Sequence, residues 1–213
     1  MKNSFLALIS IGFISVITFI LFFFNTQPIK LPTFDPSTQE KIDEPMITFV
    51  NPSKGPADAK VTIVEYGDFQ CDTCAQMSVS IDAVQQAFPN DVRIVWKNYP
   101  NESLHPESTP AAIAAHCAER QGAFWQYHDA LFALETNLNA SVYPAIAKEL
   151  ELDTQRFADC LKTQDTLGII QKDFEEARAL NLSATPVIFI GKEVFVGYLE
   201  PEELTSLVTA HLK

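Results

Sequence analysis

The sequence predicts an α/β sheet interrupted by a block of helices, preceded by one membrane-crossing helix. Three observations carry that reading. A strand-like run, "KVTIVEYGDF", leads directly into a helix-forming stretch that opens on a C-x-x-C pair. Across residues 109–180 the apolar side chains fall at helical spacing, with almost no strand signal. Strand patterns then return at "PVIFI" and "EVFVG".

The first 30 residues carry no charge between Lys2 and Lys30. Residues 5–24 are about as long as a helix needs to cross a hydrocarbon core. The apolar stretch runs into Phe22, Phe23, Phe24, Asn25, Thr26 and Gln27 rather than into small residues. That is a poor cleavage site, so an uncleaved signal-anchor over residues 1–24 is expected, with a cleaved signal peptide as the alternative. Lys2 and the amino terminus favour a cytoplasmic start, which places the rest of the chain outside the cytoplasm. Residues 25–45 contain Pro28, Pro32, Pro36 and Pro45 in polar surroundings and read as a stalk. The folded domain is expected over residues 46–213, with a helical insertion at about 105–169.

In the first strand Val61, Ile63 and Val64 are β-branched. The following helix starts at the first cysteine and spaces Met77, Ile81, Val84 and Phe88 for one buried face. "DVRIVWKNYP" is a second strand, with Ile94 and Trp96 alternating against Arg93, Val95 and Lys97. "TPAAIAAHCAERQ" has a Thr-Pro helix start, and Gly122 divides it from "AFWQYHDALFAL". "SVYPAIAKEL" is a shorter helix. "DTQRFADCLK" opens on an Asp cap and puts Phe157, Cys160 and Leu161 on one face. "TLGIIQKDFEEARAL" aligns Ile170, Phe174 and Ala177. Gly191-Lys192 suits a hairpin turn, and Pro201 the first position of a closing helix.

The formal net charge of −12 narrows the partners. Beyond Lys30 there are 13 basic and 27 acidic side chains. So acidic a domain repels phosphate backbones, and nucleic acid is not an expected partner.

The four cysteines form a close pair and a distant pair. Cys71 and Cys74 sit between a strand and a helix. The first then lies at a helix N-terminus, where free N–H groups and the macrodipole favour a thiolate. A thiolate is the nucleophile of thiol–disulfide exchange. Cys74, one turn in, can close a small disulfide with it. A zinc site needs four ligands. No second C-x-x-C exists, and His105, His116, His128 and His211 are scattered, so no metal or other cofactor is expected. Cys117 and Cys160 fall on two helices of the insertion. A structural disulfide between them is one reading, and two buried thiols the other. Thr185-Pro186 before a strand is either an ordinary strand edge or a cis-proline loop set against the cysteine pair.

Together these pieces resemble the DsbA-like thiol–disulfide oxidoreductases. The resemblance rests on "GPADAKVTIVEYGDFQCDTC", "LHPEST", "AAHCAERQGAFWQYHDALF", "FADCL" and "ATPVIFIGKEVFVGY", in that order. It implies a thioredoxin fold with an inserted α-helical domain. It makes Cys71 the nucleophile and Cys74 its partner, Pro186 a cis-proline and Thr185 the residue before it. It makes Glu65, six residues before Cys71, a buried acid that relays a proton to or from Cys74. Lys97 on the neighbouring strand is expected to pair with Glu65. Strongly oxidising members resemble Cys-Pro-His-Cys, whereas this chain has Asp72-Thr73. Without the histidine, and with Asp72 adding negative charge, a less acidic Cys71 is expected.

The resemblance implies an enzyme that forms disulfides in reduced exported proteins. Its expected setting is the bacterial cytoplasmic membrane, with the catalytic domain in the periplasm or cell exterior. A DsbB-like membrane electron acceptor is the expected redox partner, and a monomer the expected state. A reductase or thiol donor, as in cytochrome maturation, and a peptide-binding chaperone or adaptor with a redox switch are the alternatives.

Overall fold

The computed structural model describes residues 42–213. The expected anchor over residues 1–24 and all but the end of the stalk lie outside the described residues. Among these, no helix is long and apolar enough to cross a membrane.

Five strands form one sheet: β1 (Ser53–Lys54), β2 (Val61–Gly67), β3 (Val92–Asn98), β4 (Val187–Ile190) and β5 (Glu193–Val196). Their order is β1-β3-β2-β4-β5. Only β2 and β3 run parallel, and the other pairs are antiparallel. The parallel pair needs a crossover, which α1 (Asp72–Ala87) supplies. The antiparallel β4–β5 pair closes through a short hairpin at Gly191, whose φ of 58° an L side chain would resist.

Helices cover both faces. Ile63, Ile94, Ile188 and Ile190 pack with Met77, Ile81 and Val84 of α1, and with Leu204 and Val208 of α7 (Pro201–His211). The spacing of the three α1 residues is the helical repeat expected from sequence. Truncating one, as in Ile81→Ala, would cost about 2–5 kcal/mol through lost burial and a residual cavity. The other face carries Val64, Tyr66, Val95, Val187 and Phe189, packed with Ala177 of α6 (Leu167–Ala179). The sheet is therefore buried on both sides, and Val95 and Lys97 are as buried as Ile94 and Trp96.

The helical block comprises α2 (Ser108–Glu119), α3 (Phe124–Phe132), α4 (Val142–Glu149) and α5 (Thr154–Thr163). Asp153 caps α5 as expected, its side chain accepting from the N–H groups of Gln155 and Arg156. Pro201 opens α7. Cys117 of α2 and Cys160 of α5 form a disulfide, with Cα atoms 5.8 Å apart. Of the two readings left open by sequence, the bonded one holds. The core of this block continues through Phe69 and Trp96 to Cys71 and Cys74. The cysteine pair thus sits where the helical block meets the end of the sheet.

Candidate active site

Cys71 is the N-cap of α1, with extended backbone, and Cys74 lies in the first turn. Both are reduced and buried, Cys71 at 5% exposure and Cys74 at 0%. The Cys71 carbonyl accepts from the N–H groups of Cys74 and Ala75, each at 3.1 Å, which fixes the turn. Cys71 Sγ has Thr73 Oγ1 at 3.1 Å and the Thr185 carbonyl oxygen at 3.7 Å. The Thr185–Pro186 peptide bond is cis. This loop is therefore set against the cysteine pair.

These contacts separate the two sulfurs electrostatically. The Cys74 thiol, foremost, then Thr73 and Thr185 bring the Cys71 thiol down to about 5 against the opposing effect of burial. Cys74 is pushed well above the ordinary thiol range by burial, and further by Cys71 and Glu65. The surroundings thus favour the thiolate at Cys71 and the neutral thiol at Cys74. Asp72 stands in the first turn of the same helix. Its carboxylate accepts from the Thr73 N–H at 2.7 Å, in line with the favourable place of an acid in a first helical turn. Thr73, between the cysteines, places its hydroxyl where it can donate to a Cys71 thiolate.

Glu65 on β2 is buried at 1% exposure, and its Oε1 has no hydrogen-bond partner. Burial raises its pKa to about 8, with the positive charge of Lys54 opposing and Cys71 and Asp82 adding to the rise. Lys54 of β1 pairs with Asp82 of α1, and its ammonium lies 4.6 Å from the centroid of Trp125. Lys54 and Asp82 are thus the charged neighbours of Glu65.

Lys97 is not. Parallel pairing sets Glu65 opposite Trp96 and Tyr66 opposite Lys97. Successive residues point to opposite faces, so Lys97 lies on the far side of the sheet from Glu65. There its Nζ meets Glu176 Oε2 at 3.0 Å and Asp173 Oδ1 at 3.5 Å, and donates to the Met46 carbonyl at 2.7 Å. The Tyr66 hydroxyl also donates to Glu176. The expected Glu65–Lys97 pair is replaced by a buried charge cluster on α6.

The loop before Cys71 is held by Asp68, also unforeseen. Its Oδ1 accepts from Gln70 N–H and its Oδ2 from Asn101 N–H, both at 2.9 Å, and Oδ2 meets His105 Nδ1 at 2.8 Å. Gly67 precedes it with Trp96 packed so close that an added Cβ would lie 2.3 Å from the ring. The Trp96 ring in turn stacks on Phe69 at 4.7 Å. Among the described residues, no group of three or more Cys, His, Asp or Glu side chains is arranged to hold a metal ion.

The thioredoxin family model matches residues 50–210. Among solved structures, a thioredoxin-like oxidoreductase from Silicibacter pomeroyi superposes with a TM-score of 0.67 at 25% identity, covering 76% of this chain and 92% of its own. The catalytic domain of Proteus mirabilis ScsC gives 0.66 at 26% identity, covering 76% and 89%. The thiol-disulfide exchange protein α-DsbA2 of Wolbachia pipientis shares the fold, with a TM-score of 0.68 at 22% identity and coverage of 76% and 87%. Among curated proteins, a Na(+)/H(+) antiporter NhaA 1 of Salinispora arenicola is 36% identical over 157 residues, 74% of this chain and 24% of the antiporter. The chain thus spans about a quarter of the length of that relative. A thiol and a buried partner at the head of a helix, faced by a cis-proline loop, agree with these likenesses: the chain belongs to the thioredoxin family and shares its fold with α-DsbA2.

Proposed function

We propose that the protein introduces disulfides into reduced polypeptides outside the cytoplasm. The carrying observation is Cys71 at the N-terminus of α1, with Thr73 Oγ1 at 3.1 Å, the cis Thr185–Pro186 loop against it and Cys74 fully buried behind it. A stable thiolate favours the reduced pair, which makes the disulfide form an oxidant. At pH 7 a thiol titrating near 5 gives the reduced state roughly 3 kcal/mol, or about 60 mV, over one with an ordinary pKa.

A substrate thiolate attacks Sγ of Cys71 in the Cys71–Cys74 disulfide. That bond breaks, a bond from substrate sulfur to Cys71 forms, and Cys74 leaves. Cys74 takes a proton from Glu65, which is largely protonated at neutral pH. A second substrate thiolate attacks the substrate sulfur of the mixed disulfide, and Cys71 leaves as the stabilised thiolate. Two electrons pass from the substrate to the pair. The backbone of Thr185, beside the cis peptide bond, offers an edge along which the substrate chain can lie.

A DsbB-like acceptor in the membrane would take the two electrons onward, and the anchor and stalk would keep the domain near it. The Cys117–Cys160 disulfide supports an oxidising compartment. The antiporter activity of the curated relatives is not carried over to a chain that matches so little of their length.

The test is refolding of reduced ribonuclease by the oxidised full chain, with insulin reduction measured alongside. Ribonuclease oxidation that disappears in Cys71→Ser supports the proposal. Insulin reduction without ribonuclease oxidation assigns the opposite electron flow. Polypeptide binding with neither activity assigns a chaperone or adaptor.

A further inference from the structure

A cleft of about 710 Å³ lies beside the reactive pair, between the loop after β3, α6 and the loop that carries Thr185. Its volume is that of a binding site rather than a packing defect. Thr185 belongs to both places: it lines the cleft, and its carbonyl oxygen is 3.7 Å from Cys71 Sγ. The cleft thus reaches the residue that touches the Cys71 sulfur, although neither cysteine lines it.

The lining has a definite chemistry. Tyr99 and Phe174 bring their rings together with centroids 5.4 Å apart. Tyr99 is fixed at both ends, its hydroxyl donating to the Leu182 carbonyl and its N–H to the Gly67 carbonyl, each at 2.8 Å. Glu102 and Glu175, both exposed, add two carboxylates, and no Lys, Arg or His lines the cleft. Aromatic faces and carboxylates both attract cations. A guanidinium meets the two together best, because it stacks flat and offers a planar fork of donors.

We propose that this cleft receives the residues flanking the reacting cysteine of the substrate polypeptide, and that it selects a cationic side chain there, Arg before Lys. The proposal rests on the redox reading above and adds to it a substrate preference. The loop after β3 and α6, rather than the helix that bears the cysteines, impose that preference.

The test uses the oxidised full chain and a set of seven-residue peptides, each with one central cysteine. A single Arg, Lys, Gln or Glu is placed at each flanking position in turn, and glutathione serves as a thiol without flanking sequence. Rate constants for mixed-disulfide formation are read. At one or more positions Arg should exceed Glu by about tenfold, the combined effect of an exposed ion pair and a ring contact. The same ratio is measured in Glu102→Gln/Glu175→Gln and in Glu149→Gln/Glu202→Gln, which changes net charge equally outside the cleft. Because the ratio is compared between proteins, the intrinsic reactivity of each peptide thiol cancels. Loss of the preference in the first variant alone supports the proposal. An equal ratio in both variants assigns the preference to overall charge and overturns it, as does a wild-type protein that reacts alike with all peptides. Failure to exchange with glutathione as well as every peptide removes the redox reading and the cleft's role with it.

Discussion

Thr73 Oγ1 lies 3.1 Å from Cys71 Sγ, so the threonine that stands in place of the histidine of a Cys-Pro-His-Cys pattern is set to donate to the thiolate. A hydrogen bond to a charged group contributes about 1.5–3 kcal/mol. Thr73→Val keeps the shape and removes the donor. It should raise the Cys71 pKa from about 5 by about one to two units and make the pair about 30–60 mV more reducing. Ultraviolet titration of the thiolate and equilibration with glutathione measure the two quantities. An unchanged pKa would show that Cys74 and the helix terminus suffice.

Glu65 gives a pH dependence of the opposite sign from an ordinary carboxylate. Its pKa in the folded, reduced protein is about 8 against an ordinary 4.5, chiefly through burial. The folded state therefore holds a proton that the unfolded chain has released. Stability is lost as pH rises from about 4.5, and the loss is complete above about 8. Glu65→Gln removes this penalty, so the variant should gain several kcal/mol over the wild type at pH 9 and almost nothing at pH 4. Denaturant unfolding of the reduced proteins across pH reads the difference. The same substitution should slow thiol exchange, since Cys74 loses its internal proton donor. Parallel stability curves, or exchange rates identical at every pH, would remove Glu65 from both roles.

Lys97 has a structural rather than a redox role. It is 2% exposed and balances Asp173 and Glu176, which are themselves buried. Lys97→Met leaves two buried carboxylates without their cation, and should cost about 3–5 kcal/mol. The Cys71 thiolate titration should not move, because the side chain lies on the other face of the sheet. Coupling between Lys97 and Cys71 in that titration would contradict the strand register.

The failure to place Lys97 shows where sequence reading stops. The caps, the hairpin and the apolar face of α1 are local patterns, and Asp153, Gly191, Pro201, Met77 and Ile81 announce them within a turn or two. Ile94 and Trp96 also announce one face of β3. The other face is equally buried, so alternation gives no sign that Val95 and Lys97 point at α6. Deciding Lys97's partner requires the pairing of Tyr66 with Lys97 across strands 31 residues apart, and the position of Glu176 beneath them. Asp68 is similar: its hydrogen bond to Asn101 spans 33 residues, and nothing near it in sequence calls for a carboxylate. Glu65 was legible only through its spacing from Cys71 in a family pattern. That its Oε1 is buried without a hydrogen-bond partner is a property of the packed state.

The two cysteine pairs should separate under reduction. Cys117 and Cys160 lie in the packed helical core at 1% and 6% exposure and close a loop with a sequence separation of 43. A closure of that length constrains the unfolded chain by about 4 kcal/mol in the chain-entropy account, and 2–4 kcal/mol is the usual measured range. Cys71–Cys74 closes almost no loop, and its product thiolate is stabilised by Thr73 and by the neighbouring thiol. Mild reduction should therefore release two thiols first, both assigned to Cys71 and Cys74 by alkylation and peptide mapping. Cys117 and Cys160 should follow only with denaturant or strong reductant. Cys117→Ala/Cys160→Ala should lower stability by about 2–4 kcal/mol while leaving the Cys71 titration in place. If four thiols appear together, or if the Cys71 pKa moves with the distant pair, the helical disulfide is part of the redox unit rather than its frame.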